Sequence, residues 1–315
     1  MKSNPKESNF VSAVVYVCNC AKDIGYFLDG LYQTLTENFK HFEIICVDDA
    51  SNDDTCKELE NFKSKALDTE LTILHMGTNQ GLEPAMNAGI DFSIGDFVFE
   101  FDTHIVDYDF SLIMDAYYKA LKGFDVVNMV PNKQSRTTSK LFYQVFNRYS
   151  NLQNELSTNR FRLVSRRVIN RVHDMNTSIP YRKVAYAASG LKGITMTYSA
   201  NKNIALIKNH HSTNKNRKEL ALNSFIMFTD IAYRFSSLMS ILFAAFALLV
   251  GIYTIIIFCT KGAVEGWTTT MIFLSIAFFG IFIIQTMLVK YMAIVVDLLV
   301  SRKEYTIESI EKVTM

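Results

Sequence analysis

The chain contains no Gly-x-Gly-x-x-Gly and no Gly-Lys-Ser/Thr phosphate loop, which disfavours a dinucleotide dehydrogenase and a P-loop NTPase. It has no zinc-type spacing of cysteine and histidine. The five cysteines, Cys18, Cys20, Cys46, Cys56 and Cys259, are odd in number. Four of them lie in or beside apolar runs near the N-terminus, as reduced thiols acting as small apolar residues of a cytoplasmic protein do. Cys18-Asn19-Cys20 leaves a metal or redox pair as the alternative. The net charge is +1, so the total carries no nucleic-acid footprint. Met1–Asn9 is polar without the apolar core of a signal peptide, and this half is expected not to be exported. There is no internal repeat and no low-complexity tract.

Long apolar runs are present in one place only. Phe235–Thr260 and Trp267–Val289 carry no charged residue. Each exceeds the roughly 20 residues that span a hydrocarbon core as a helix. With Lys261–Gly266 as a tight link, the pair reads as a transmembrane hairpin. Arg217, Lys218, Arg234, Lys290, Arg302 and Lys303 flank it outside, against one Lys in the link. The positive-inside rule therefore predicts both termini in the cytoplasm. Arg217–Arg234 mixes apolar and polar positions and reads as an interfacial amphipathic helix.

Upstream, short apolar strands alternate with helical patterns. Strands are expected at Phe10–Val17, Phe42–Val47, Leu71–His75, Phe97–Phe101 and Asp125–Val130. Helices are expected at Asp23–Phe39, Thr55–Lys65, Leu82–Ser93 and Ser111–Lys122. This order predicts an α/β domain with a mostly parallel sheet covered on both faces. Asn132–Asn159 reads as helix plus loop, and Phe161–Val172, with Arg162, Arg166, Arg167 and Arg171, as a basic helix. Val184–Ser189, Gly193–Ser199 and Asn203–Ile207 read as further helix and short strands. The expected division is a tail over 1–9, the α/β domain over 10–215, the amphipathic helix over 216–234, transmembrane helices over 235–260 and 267–289, and a cytoplasmic tail over 290–315.

In such a sheet the C-terminal ends of the strands converge on one crevice. Asp48-Asp49 ends one expected strand, and Asp102-Thr103-His104 ends another. The spacing lets Asp102 and His104 leave the same side of an extended segment and share one cation. Carboxylates there can also accept hydrogen bonds from a base and ribose, while a metal neutralises a diphosphate. Asn79-Gln80-Gly81 opens a helix between these strands, with Asn87 one turn and a half further on. The plainer alternative for Phe97–His104 is a strand that runs into a polar loop.

Three pieces occur in order: a strand followed by Asp-Asp-Ala-Ser-Asn-Asp-Asp-Thr, then Asn-x-Gly-x-x-x-Ala-x-Asn-x-Gly, then Gly-Asp-x-x-x-x-x-Asp-x-His. Together they resemble glycosyltransferase family 2. Phe161-Arg162-Leu163, Arg166-Arg167, the hairpin and Glu265-Gly266-Trp267-Thr268 resemble its polyprenyl-phosphate sugar transferases. The resemblance implies a GT-A-type nucleotide-sugar-binding domain followed by the amphipathic helix and the two transmembrane helices. It implies Asn19 and Asp48 against the nucleotide, with Asp49 supporting that loop and Asn79, Gly81 and Asn87 on the donor side. It implies Asp102 and His104 at a divalent metal, Mn or Mg, with Asp102 facing the diphosphate. Arg162 and Arg166 are then candidates for the donor diphosphate or the lipid phosphate.

The implied activity is inverting transfer of a sugar from a nucleotide-sugar donor to polyprenyl phosphate, by a multi-pass protein of the cytoplasmic membrane. No nucleic acid is involved, and assembly as a homo-oligomer is compatible. The chain departs from the pattern at Cys20-Ala21, where two acidic residues are usual. It departs again at Arg160, where an acid often stands, and at His104, which replaces a second Asp. Lys208–Ser212, with His210 and His211, stands where a basic segment is usual. A catalytically degenerate relative that binds partners in a membrane complex is the alternative.

Overall fold

The computed structural model describes residues 5–65, 70–132, 159–175, 181–200, 231–260, 266–299 and 305–312. The expected elements at Asn132–Asn159, Asn203–Ile207 and 217–230, the pair His210–His211 and the link after Thr260 lie outside the described residues, apart from their boundary positions. The chain divides into an α/β unit, which includes Arg302–Met315, and a unit formed by two long helices.

The α/β unit begins with β1 (Val11–Val17), α1 (Ile24–Asn38), β2 (Phe42–Asp48), α2 (Thr55–Lys65), β3 (Glu70–Met76), α3 (Leu82–Phe92) and β4 (Phe97–Phe101). It continues with α4 (Ser111–Ala120), β5 (Val126–Pro131), β6 (Phe161–Ser165), α5 (Arg166–Asp174), α6 (Arg182–Ala188) and β7 (Gly193–Tyr198). The two long helices are α7 (Ile231–Cys259) and α8 (Trp267–Leu299), and β8 (Ile307–Lys312) follows them. Among the described residues, the eight strands form one sheet in the order β7-β5-β6-β4-β1-β2-β3-β8. Pairs β1–β2, β1–β4, β2–β3 and β5–β7 are parallel, whereas β3–β8, β4–β6 and β5–β6 are antiparallel.

The central strands are buried on both faces, as their near-continuous apolar runs require. Val11, Ala13, Val15 and Val17 point to the face covered by α1, α2 and α4. Val14, Ile45, Val47 and Val98 point to the other face, covered by α3, α5 and α6. Ile24, Phe27, Leu28, Leu31 and Leu35 put the buried stripe of α1 at helical spacing. On the other face, a Cβ at Gly89 would lie 2.5 Å from Val14 and 2.7 Å from Val47, so glycine is what lets α3 rest so close to β1 and β2.

Two segments differ from the sequence-based expectation. Phe161–Val172 is not one basic helix: it is strand β6, whose last residue Ser165 is also the N-cap of α5, and then α5. Phe161 and Leu163 enter one core and Val164 the other, a period-2 pattern that the four arginines masked. The second is β8, in a stretch that the sequence reading left without an element. Its Ile-Glu-Ser-Ile-Glu-Lys composition is that of a short charged edge strand and gives a weak strand signal.

Helices α7 and α8 pack on one another, with Phe243 and Phe282 stacked at 4.8 Å between ring centroids. Both are long and apolar enough to cross a membrane, over Leu238–Ile257 and Trp267–Met292. Their large apolar side chains, among them Ile241, Phe246, Phe273 and Ile276, are mostly exposed.

Candidate active site

Parallel pairing aligns the C-terminal ends of β1, β2 and β4 at one end of the sheet. Val17 of β1 pairs with Asp48 of β2, and Val15 pairs with Phe101 of β4. Asn19, Asp48-Asp49 and Asp102 therefore leave neighbouring strand ends. The loops after β1 and β2 interlock. The Asn19 N–H donates to Ser51 Oγ at 2.9 Å, and the Asn52 N–H donates back to Asn19 Oδ1 at 2.7 Å. Asn19 and Ala50 both sit in the left-handed region, at φ 48° and 52°. Asparagine tolerates that conformation well; for Ala50 it costs about 1–3 kcal/mol, a strain typical of functional loops.

Asp49 is fully buried, and its carboxylate is committed within the fold. It accepts from Tyr16 Oη at 2.9 Å, the Gln80 N–H at 2.7 Å and the Gly81 N–H at 2.9 Å. It thus holds the entrance to α3, where Gly81 adopts φ 91°. Asn79 braces the same junction, donating to the Asp49 carbonyl at 3.2 Å. Asp49, Asn79 and Gly81 are loop builders here, while Asn87 lies half-buried on α3.

Asp48 is also buried, but faces other side chains. His75 Nδ1 lies 3.2 Å from its Oδ2, and Cys56 Sγ donates to the same oxygen at 3.3 Å. Asp48, Cys56 and His75 have one potential ligand atom each within 4.8 Å of one another, a group able to hold a metal ion. Burial, reinforced by Asp48, pushes the Cys56 thiol up to about 12. Burial also pushes up Cys18, and Cys20 to about 12, so these thiols are poor nucleophiles at neutral pH.

The densest charge cluster surrounds Asp102. Arg162 Nη2 donates to its Oδ2 at 2.7 Å, and Arg182 Nη2 donates to its Oδ1 at 2.8 Å. Arg182 also donates to Glu100 at 2.6 Å and to Glu83 at 3.0 Å, and Tyr186 Oη donates to Glu100. Glu100 and Arg162 are direct cross-strand partners on β4 and β6, with Glu100 Oε2 and Arg162 Nη1 3.5 Å apart. Burial alone would raise the Asp102 pKa. The guanidiniums of Arg162 and Arg182, with Lys183 adding to them, outweigh it and hold the carboxyl well below the usual range. Three carboxyl groups thus meet two guanidiniums, contributed by α3, β4, β6 and α6.

His104, two residues beyond Asp102, has its Nε2 3.9 Å from Asp23 Oδ2. Arg166 is not part of the cluster. Its Nε donates to the Gly95 carbonyl at 2.9 Å and its Nη2 to Ser93 Oγ at 3.0 Å, beyond the opposite end of β4. On one helix, Arg162 and Arg166 would share a face. With Arg162 in a strand antiparallel to β4, they stand about 13 Å apart along the chain.

Sequence reasoning missed Arg182, Glu83, Tyr186 and the role of Glu100. The usable signal was Glu100 itself. A carboxyl in the middle of a buried aromatic strand demands a buried cationic partner. Arg160, at the position where an acid was expected, makes a two-point pair with the fully buried Asp107, which also accepts from Tyr198 Oη at 2.7 Å.

Comparison with known proteins identifies the family of this chain. The family model for Glycosyl transferase family 2 matches residues 12–185. The chain is 29% identical over 189 residues to an uncharacterized glycosyltransferase of Synechocystis sp., an alignment covering 58% of each chain. It is 27% identical over 285 residues to the prophage bactoprenol glucosyl transferase homolog of Escherichia coli, covering 86% of this chain and 88% of that one. A mannosyltransferase from Pyrobaculum calidifontis, solved in complex with GDP-Man and Mn2+, superposes with a TM-score of 0.47 at 14% identity, over 94% of this chain and 90% of that one. More than half of this sequence, including every strand end that carries the candidate site, falls within the family match, and the chain belongs to glycosyl transferase family 2.

Proposed function

We propose that this glycosyltransferase moves a sugar, with inversion, from a nucleotide-sugar donor to polyprenyl phosphate at the cytoplasmic face of a membrane. The observation that carries the reading is the place of β8. Helices α7 and α8 lie in sequence between strands of one sheet, because β8 pairs with β3. A pair of helices that leaves and returns to the same sheet crosses a bilayer an even number of times. Its exposed apolar side chains are stable in lipid and costly in water. The basic residues outside the hairpin favour the cytoplasmic side for the sheet. A transferase domain tethered in this way meets an acceptor that is itself confined to the bilayer. The bactoprenol relative supports that acceptor class.

In this reading Asn19 and Asp48 face the nucleotide, and Asp49, Asn79 and Gly81 keep their loop in shape. Arg162 and Arg182 hold Asp102 ionised and oriented toward the donor diphosphate. A divalent cation held by Asp102 and His104 would share the Asp102 oxygens with Arg162 and Arg182. The carboxylate is kept deprotonated, as a ligand must be, and the imidazole adds a nitrogen donor that favours Mn over Mg. When bound, the cation would supply charge neutralisation at the leaving diphosphate. The acceptor phosphate is ionised near neutral pH, so a strong base on the protein is unnecessary. This accommodates Cys20 and Arg160 where acids are usual. Arg166 has no part at this end of the sheet.

The test is incubation of membranes carrying the protein with radiolabelled UDP- and GDP-sugars and undecaprenyl phosphate. The expected outcome is a lipid-linked monosaccharide that disappears with Asp102→Asn. Product on a saccharide instead, or none with any donor from a folded protein, overturns the reading.

A further inference from the structure

The segment that follows the two apolar helices does more than end the sheet. β8 enters along β3 with Ile73 opposite Glu311, Leu74 opposite Ile310 and His75 opposite Ser309. The register then shifts between His75 and Met76. Irregular pairing of this kind re-aims side chains and recurs beside active sites. Immediately before β8, Thr306 is gripped by one side chain. Gln80 Nε2 donates to the Thr306 carbonyl at 2.7 Å, and the Thr306 N–H donates to Gln80 Oε1 at 2.9 Å. The amide of Gln80 thus copies a β-bridge, one donor and one acceptor. Tyr305 Oη adds a bond to Asp91 of α3 at 2.6 Å.

Gln80 is also one of the two residues whose backbone N–H groups hold the Asp49 carboxylate. A second line runs from β8 to Asp48. Glu311 Oε1 lies 3.9 Å from His75 Nε2, and His75 Nδ1 lies 3.2 Å from Asp48. Lys63 of α2 holds the other Glu311 oxygen at 3.4 Å. Both carboxylates after β2 are therefore braced from the C-terminal strand through one intermediate residue each.

We propose that the C-terminal strand is a working part of the nucleotide-donor site: Thr306 and Glu311 are positioning residues that act through Gln80 and His75 on the loop carrying Asp48 and Asp49. The proposal rests on the donor reading above. It gives the chain beyond α8 a role that anchoring alone does not require. The segment returning from the apolar helices sets the shape of the donor pocket.

The test uses the full-length protein in detergent, with UDP and GDP titrated calorimetrically in the presence of Mn2+ and hydrogen exchange followed at the Gln80 and Gly81 amides. Gln80→Ala and Thr306→Pro are each expected to weaken binding of the preferred nucleotide by about fivefold or more and to speed exchange at both amides by about tenfold. Gln80→Glu keeps the acceptor for the Thr306 N–H and loses the donor, so it falls between wild type and Gln80→Ala. Glu311→Gln weakens nucleotide binding less, by about twofold, without changing exchange at Gly81. A scaffold role alone would lower Tm and leave nucleotide affinity in place. Faster exchange with unchanged affinity, or unchanged exchange with lost affinity, overturns the proposal. Should Thr306→Pro not fold, Gln80→Ala, which removes only a side chain, decides. Wild-type protein that binds neither nucleotide overturns the donor reading. Wild-type binding with unaltered variants overturns the positioning role alone.

Discussion

The two ends of β4 are both polar and both buried, yet they are built differently. At the N-terminal end, Glu43 accepts from Ser12 Oγ at 2.5 Å and from the Ile94 N–H at 2.8 Å, and Ser12 Oγ accepts from the Gly95 N–H at 2.8 Å. Arg166 closes this end on a backbone carbonyl and a serine. Glu43 and Arg166 there bond to neutral groups, hydroxyls and backbone N–H or C=O, rather than to one another. At the C-terminal end, Glu83, Glu100, Asp102, Arg162 and Arg182 come from four separate elements and bond to one another. Collecting three carboxyls and two guanidiniums in one dry place is expensive, and folding alone gives no reason for it. That cost without structural need is what supports placing the proposed donor site at the C-terminal end, with the N-terminal end as scaffold.

The sharpest way to break this comparison is Arg182→Met. It strips Glu83, Glu100 and Asp102 of the side chain that touches all three. Removing one member of a buried ionic cluster costs about 3–5 kcal/mol. Urea unfolding should register a loss of that size, with Arg182→Lys recovering only part because an ammonium cannot fork between three partners. A loss under about 1 kcal/mol would mean that the cluster is solvated and that the two ends of β4 do not differ.

Asp102→Asn comes next, and its effect belongs to catalysis. The amide keeps the shape and one acceptor oxygen but gives up the charge between Arg162 and Arg182. Loss of a preorganised electrostatic group typically lowers kcat by about 10²–10³. Single-turnover transfer, measured on protein whose unfolding midpoint is checked in parallel, separates this from destabilisation. Wild-type turnover in Asp102→Asn would remove the residue from the site.

Much of the strand framework behind this contrast is legible in the sequence. The alternation of Phe10–Val17, Phe42–Val47 and Phe97–Phe101 with helical stretches fixes the sheet, because buried parallel strands read as apolar runs. Asp48, Asp49 and Asp102 stand out as acids at the ends of those runs. The positions that escaped did so for three separate reasons. Arg182 and Glu83 lie on helices whose sequence carries no mark of which side chains turn inward, and only the third dimension brings them to Asp102. Arg162 was read on a helix because its neighbours Arg166, Arg167 and Arg171 have helical spacing, and these do form a helix that starts one turn later. β8 is invisible because an edge strand avoids the apolar pattern by which strands are recognised.

Arg166→Ala sharpens the comparison from the other side. It removes bonds to Gly95 and Ser93 and leaves no buried carboxyl stranded, so stability should fall by about 1–2 kcal/mol. Transfer kinetics should stay within about twofold of wild type, whereas Arg162→Ala, toward the other end of β4, should lose both stability and turnover. Equal kinetic losses in the two variants would restore the expectation that both arginines meet phosphate.

The smallest expected effect concerns alkaline pH. Cys20 lies in the loop after β1, where burial holds its thiol up at about 12. In the unfolded chain a thiol titrates near about 8.5. Above that pH the unfolded state gives up a proton that the folded state keeps, so the unfolded state gains and stability falls as pH rises toward the folded value. Below about 8.5 both states hold the proton, and the contribution is flat. Thermal unfolding at pH 7.5, 9 and 10 should therefore show a decline that is shallower in Cys20→Ala than in wild type. Parallel declines would mean that water reaches the thiol. The loop bearing Asn19 would then be looser than its paired bonds to Ser51 and Asn52 indicate.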